Sequence, residues 1–196
     1  MPKVVDRAAR RAEVVDAFLE VARRDGLAQA SSRAIATELG VATGGLWHYF
    51  EDYDAVLLAA FDRIYHRTNE RIGDATSLLT GLDAIIAMMR EVLPVSPEAR
   101  EEAAIVVGYW GRVAAIPALG NRQAAMDEAW RAMLLEWLEQ AVLDGTLIPD
   151  APIAGIADLL LSLSSSQQIR YVTRPHPRAS NAPMVLVTHC LAPWKS

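Results

Sequence analysis

An all-α fold is predicted: a small N-terminal three-helix unit over residues 1–52 and a larger helical domain over 53–196, about nine helices in all. Three observations predict it. Apolar residues recur at i, i+3/i+4 spacing almost throughout the chain, the period of a helix with one buried face. No segment alternates apolar and polar residues as a half-buried strand does. Residues that start and stop helices, such as Ser96-Pro97, Gly26 and Gly40, fall at the ends of the periodic stretches. With 52% hydrophobic residues in 196, the chain has ample material for a core.

The elements follow in order. In RRAEVVDAFLEVARRDG, Val14, Val15, Phe18, Leu19 and Ala22 share a face and Gly26 supplies the stop. SSRAIATELG opens on serines suited to capping and sets Ile35, Ala36 and Leu39 on one face. Gly40 is placed for a left-handed turn. A short third helix is predicted over 43–50, and a fourth from near Asp52 to Gly73, which connects the two domains. GLDAIIAMMREVL is amphipathic and ends at Pro94. SPEAREEAAIVVGYWGRVAAI carries Ser96 as cap, Pro97 at the first helical position and Glu98 beside the positive dipole end. Its second half is apolar on every side and is expected to be buried. From Ala125, Met126, Trp130, Met133, Leu134, Trp137 and Ala141 form one stripe, with Asp127, Glu128, Arg131, Glu136 and Glu139 mostly opposite. IAGIADLLLSLSSSQQIRYV is a long apolar helix that turns polar late, RPHPRAS a stiff loop, and NAPMVLVTHCLA a last short helix.

Composition narrows the function. One cysteine, Cys190, allows no disulfide framework or thiolate metal cluster within one chain, as suits a reducing cytoplasm. No stretch approaches the ~18 apolar residues of a membrane span, and the N-terminus lacks the apolar run of a secretory signal. The net charge of −5 is unevenly spread. Residues 1–50 carry seven Lys/Arg against six acids, and residues 51–196 carry twelve against eighteen. A basic head on an acidic body puts positive potential where a polyanion could dock.

The most informative stretch is GVATGGLWHYF, residues 40–50. Each glycine inside a helix costs about 1 kcal/mol against alanine, so Gly44 and Gly45 need a reason. Residues 32–50 have the layout of a helix-turn-helix, whose second helix enters the DNA major groove N-terminus first. Glycines there let the backbone approach the duplex with no side chain between. The competing explanation is that they relieve crowding between the two helices.

The segment VVDAFLEVARRDGLAQASSRAIATELGVATGGLWHYFEDYDAVLLAAF resembles the DNA-binding domain of TetR-type transcriptional regulators over about residues 10–61. The resemblance rests on the ordered set Ile35-Ala36, Gly40-Val41, Leu46 with the WHYF stretch, and Asp54 with Leu57. The YWGRVAAIPAL segment and helix lengths beyond it are similar to the BetI-like subgroup. The resemblance implies a homodimeric, ligand-responsive repressor that binds a palindromic double-stranded DNA operator, with no cofactor. It places DNA contacts at Ser32 (phosphate), Arg33 (base edge or backbone), and Thr43 and Gly44 at the bases, with Gly45, Trp47, His48, Tyr49 and Tyr53 around them. Lys3, Arg7, Arg10 and Arg11 form a basic arm. Three positions depart from the pattern. Ala42 stands where a serine or threonine caps, leaving Thr43 to cap instead; Gly45 replaces a threonine; and Tyr53 replaces a phosphate-pairing lysine.

In the larger domain, Met88, Met89, Tyr109, Trp110, Met126, Trp130, Met133, Trp137 and Tyr171 are candidate ligand contacts or plain core. Arg112, alone among apolar neighbours, needs a carboxylate, water or an anionic ligand group, and a protein carboxylate is expected. The effector is then a small, largely apolar molecule bearing an acidic or hydroxyl group. Leucines all round residues 159–163 call for a second packing surface, which the last helix of two chains would complete as a four-helix interface. An enzyme has little support: the four histidines are scattered, and Asp62, His66 and Glu70 read as a solvated ion-pair row rather than a metal site. A helical adaptor or small-molecule-binding protein without DNA binding is the alternative, and it leaves residues 40–50 unexplained.

Overall fold

The protein is described by a computed structural model over residues 7–174 and 181–196. The chain forms α1 (Arg7–Asp25), a 3₁₀ turn at Leu27–Gln29, α2 (Ser32–Leu39), a 3₁₀ helix at Thr43–His48, and α3 (Tyr53–Thr76). The larger domain continues with α4 (Gly81–Val92), α5 (Pro97–Val113), α6 (Pro117–Leu143), α7 (Ile153–Thr173) and α8 (Ala182–Leu191). The only pairing of strand type among the described residues is a single bridge between Leu147 and Lys195.

Local chemistry sets these boundaries. Ser31 caps α2, its Oγ accepting from the Ala34 N–H at 3.3 Å, and Gly40 ends it at φ +67°. Asp52 caps α3 through Ala55 at 2.8 Å, and Ser96 caps α5 through Ala99 at 3.1 Å. Each such cap satisfies an N–H that the helix itself leaves open. Helix α6 begins at Pro117, ahead of the stretch from Ala125 that periodicity marks; a proline in the first turn costs no helical hydrogen bond.

Two cores divide the molecule, and α3 belongs to both. The first gathers Val14, Phe18 and Val21 of α1, Ile35 and Ala36 of α2, Leu46, Phe50, and Val56, Leu57, Ala60 and Ile64 of α3. Ile105 of α5 joins it from the larger domain. The second core holds Ile72 of α3, Ile85, Met88 and Met89 of α4, Leu134 and Leu138 of α6, Leu160 of α7, and Val187 and Leu191 of α8.

Two predicted features come out differently. The helix predicted over 43–50 is a 3₁₀ helix ending at His48, with the Tyr49 N–H bonding the Leu46 carbonyl at 3.0 Å. Ala42 precedes it with no side-chain cap, and Thr43 does not cap either. The second half of α5 is not wholly buried: Tyr109 is, but Val106 and Trp110 are half-buried because they face a cavity, and Arg112 is exposed.

Candidate nucleic-acid interface and effector cavity

The turn after α2 presents a compact exposed surface. Arg33, Thr43, Gly44, Trp47 and His48 are exposed, and Ser32, Gly45 and Tyr49 are half-buried. A Cβ built at Gly44 or Gly45 meets no protein atom within 4 Å, and neither has a positive φ. Crowding between helices therefore does not require these glycines, nor does backbone strain. Leu46 and Phe50 are buried and lock the segment onto the first core.

The basic arm divides. Lys3 lies outside the described residues. Arg7 is exposed, and Arg10 pairs with Glu13 at 2.6 Å on the surface. Arg11 is taken up by the fold: its guanidinium lies 4.0 Å over the Phe50 ring and donates to the Tyr49 carbonyl. Tyr53 is also structural, with its ring edge-on to Phe18 at 6.0 Å and its hydroxyl pKa raised by burial.

In the larger domain, α3 to α7 enclose a cavity of about 70 Å³. Its wall contains Trp110, Met126 and Trp130 of the predicted set. The others lie elsewhere. Met88 and Met89 are core, at 1% exposure each, and Met133 and Trp137 pack against that core. Tyr109 is one layer back, stacked on the cavity residue Phe61 at 3.6 Å, with its buried hydroxyl lacking a hydrogen-bond partner. Tyr171 belongs to a surface groove between α7 and α8. Arg112 is exposed and pairs with Asp54 at 2.9 Å, the protein carboxylate that its neighbours call for.

Sequence reasoning missed most of the polar wall: Thr68, Glu91, Glu102, Gln123, Asp127, Ser164, Ser165 and Gln168. It also missed Phe61 and Tyr65, although their i, i+4 spacing on α3 set them on one face. Asp127, expected opposite the apolar stripe of α6, is exposed as that placement implies and also belongs to the cavity lining. Arg71 bridges Glu91 and Glu102, each at 3.1 Å, tying α3 to α4 and α5. Burial raises the Glu102 pKa against the lowering effect of Arg71, and burial raises that of Asp127 against its hydrogen bond from Gln123. The Trp130 indole N–H is held by Asn69 Oδ1 at 2.8 Å.

Residues 14–60 match the family described as bacterial regulatory proteins of the tetR family, and residues 82–183 match the BetI-type transcriptional repressor C-terminal domain. The second match alone spans 102 of 196 residues. The chain belongs to the TetR family. It is 32% identical over 103 residues to the HTH-type transcriptional regulator PksA of Bacillus subtilis, covering 52% of this chain and 50% of that protein. With the regulator BetI of Escherichia coli O127:H6 it shares 31% over 143 residues, covering 73% and 63%. The match thus spans about half the length of the first of these relatives. Among solved structures, a TetR regulator from Haloarcula marismortui superimposes with a TM-score of 0.81 at 19% identity, covering 96% of this chain and 100% of that one. A transcriptional regulator from Saccharomonospora viridis in complex with choline gives 0.82 at 15%, covering 94% and 96%. At these identities the structures establish the fold. The family is one of transcriptional regulators and not of enzymes, and no described helix is long and apolar enough to cross a membrane.

Proposed function

We propose that this TetR-family chain is a cytoplasmic repressor that binds a roughly palindromic double-stranded operator as a homodimer and is released by a small organic effector. The division is between a DNA-binding unit over 1–52 and a sensing and dimerising unit over 53–196, with α3 as the connector. The observation that carries the DNA reading is the pair Gly44 and Gly45, which nothing in the protein's own packing requires. Set among exposed Arg33, Thr43, Trp47 and His48, they leave the backbone open to a close-approaching partner. Major-groove entry by this segment gives Thr43 and Arg33 access to base edges, while Ser32 and Arg7 reach phosphate.

The effector reading rests on the cavity. Three carboxylates and no Lys, Arg or His line it, so an acidic effector is disfavoured and a cation is favoured. The choline complex of the Saccharomonospora viridis regulator supports a positive charge on the ligand. An effector with different affinity for two arrangements of the dimer shifts the spacing of the recognition segments and releases DNA.

A gel-shift of the purified protein with genomic fragments tests the core of this proposal. Retardation of a subset of fragments is expected, and no retardation even at low salt overturns it in favour of a helical ligand-binding protein.

A further inference from the structure

Two buried oxygens of the cavity lining lack a hydrogen-bond partner, and both are amide oxygens, which only accept. Gln168 on α7 is 7% exposed, and its Nε2 donates to the Val92 carbonyl at 2.8 Å. A carbonyl can only accept, so this bond decides which end of the amide is the oxygen. That oxygen is buried in the cavity wall without a partner. Gln123 on α6 repeats the arrangement. Its Nε2 donates to Asp127 Oδ1 at 2.8 Å, and its own buried Oε1 is left over. Glu91, Glu102 and Asp127 line the same cavity. Arg71 answers the two glutamates from behind the wall. Asp127, exposed at the edge of the cavity, receives only the neutral Gln123 amide.

We propose that the effector is a small ammonium ion that carries N–H bonds, a protonated primary alkylamine or diamine, and not a quaternary ammonium. The inference rests on reading this cavity as the effector site. A primary ammonium stays charged at neutral pH, as the lysine value near 10.4 indicates, and offers three donors. It can meet Asp127 and an orphaned amide oxygen together. A quaternary ammonium matches the charge but leaves every buried acceptor unmet. It is best held by the open faces of several aromatic rings, and of the four rings that line this cavity Phe61, Tyr65 and Trp130 each have another ring against one face. Phe61 has Tyr109 stacked on it at 3.6 Å, and Tyr65 stacks with Trp130 at 5.7 Å.

The test uses the whole 196-residue chain on a fragment that it retards. The probes are n-butylammonium, 1,4-diaminobutane, butyltrimethylammonium and neutral butanol. Release is followed by fluorescence anisotropy of labelled DNA, and binding by tryptophan fluorescence and thermal shift without DNA. The amines are expected to bind and release DNA at concentrations about tenfold or more below those needed for butyltrimethylammonium, the worth of one charge-assisted hydrogen bond. Asp127→Asn is expected to weaken the amines about tenfold and to narrow their advantage over the quaternary ion. If that variant does not fold, the matched probes on the parent chain decide alone. Equal or tighter binding of butyltrimethylammonium, or no binding of either amine, overturns the inference. DNA release by the quaternary ion alone would leave the proposed function standing and this inference fallen. A chain that retards no DNA but binds the amines would do the reverse.

Discussion

A methyl group added at Gly44 or Gly45 meets nothing within 4 Å of the protein, so these positions separate folding from recognition. Gly44→Ala and Gly45→Ala are expected to leave the melting temperature unchanged or raised, by the equivalent of at most about 1 kcal/mol. They should nevertheless weaken operator binding, because the methyl occupies the space that the duplex needs. Unchanged affinity for a retarded fragment would remove the explanation for the glycine pair. Two arginines make the opposite contrast. Arg33 is exposed and free to reach a base, so Arg33→Ala should cost about 1–3 kcal/mol and relax preference at one base position. Arg11 is spent on Phe50 and the Tyr49 carbonyl, so Arg11→Ala should lower stability first. Competition assays over operator variants, beside thermal melts, distinguish the two. That difference was hidden in the sequence, where Arg10 and Arg11 are neighbours in one basic run. Only the packing shows which of them turns inward.

At the scale of elements, the legible features were those written locally. Gly40 takes its left-handed φ, Ser96 caps α5, and the apolar stripes of α1 and α4 bury as their spacing implies. The cavity was only partly legible. Trp110, Met126 and Trp130 announced themselves by size, but the polar wall comes from one to three residues on each of five helices brought together by tertiary packing. Glu102 has the spacing of a solvated surface acid, and nothing local distinguishes it. Its environment does. Burial makes Glu102 a weaker acid in the folded protein than in the unfolded chain, despite Arg71. Between the ordinary carboxylate value and the raised one, the folded state binds more protons, so stability falls as pH rises through that window. Glu102→Gln should remove this part of the slope. Melting temperatures of parent and variant, taken across mildly acidic buffers, are expected to converge toward the acid end and differ in slope above it. Parallel curves would mean that Glu102 titrates normally.

The whole molecule has one face that its own fold leaves open. Along α7, Leu160 and Ser164 turn inward, while Leu159, Ile169 and Val172 are 50%, 45% and 36% exposed. On the adjoining α8, Val187 and Leu191 are buried while Val185 and Leu186 are 51% and 39% exposed. Exposed apolar side chains on two packed helices are the material of an association surface. A second copy of the same two helices would cover it with a matching surface, as a two-fold interface requires. The consequence for DNA is geometric. One recognition segment reads one half-site, whereas two held about 34–36 Å apart read both and share one association cost. A charge placed in the centre of this face, as in Val185→Glu, leaves the monomer core untouched because Val185 points outward. Sedimentation at micromolar concentration should show dimers for the parent chain and monomers for the variant, with both melting cooperatively. Operator retardation should be lost with the dimer although every DNA-contacting side chain is intact. A parent chain that sediments as a monomer, or a monomeric variant that binds DNA as tightly as the parent, would show that this face serves some purpose other than setting the spacing of two recognition segments.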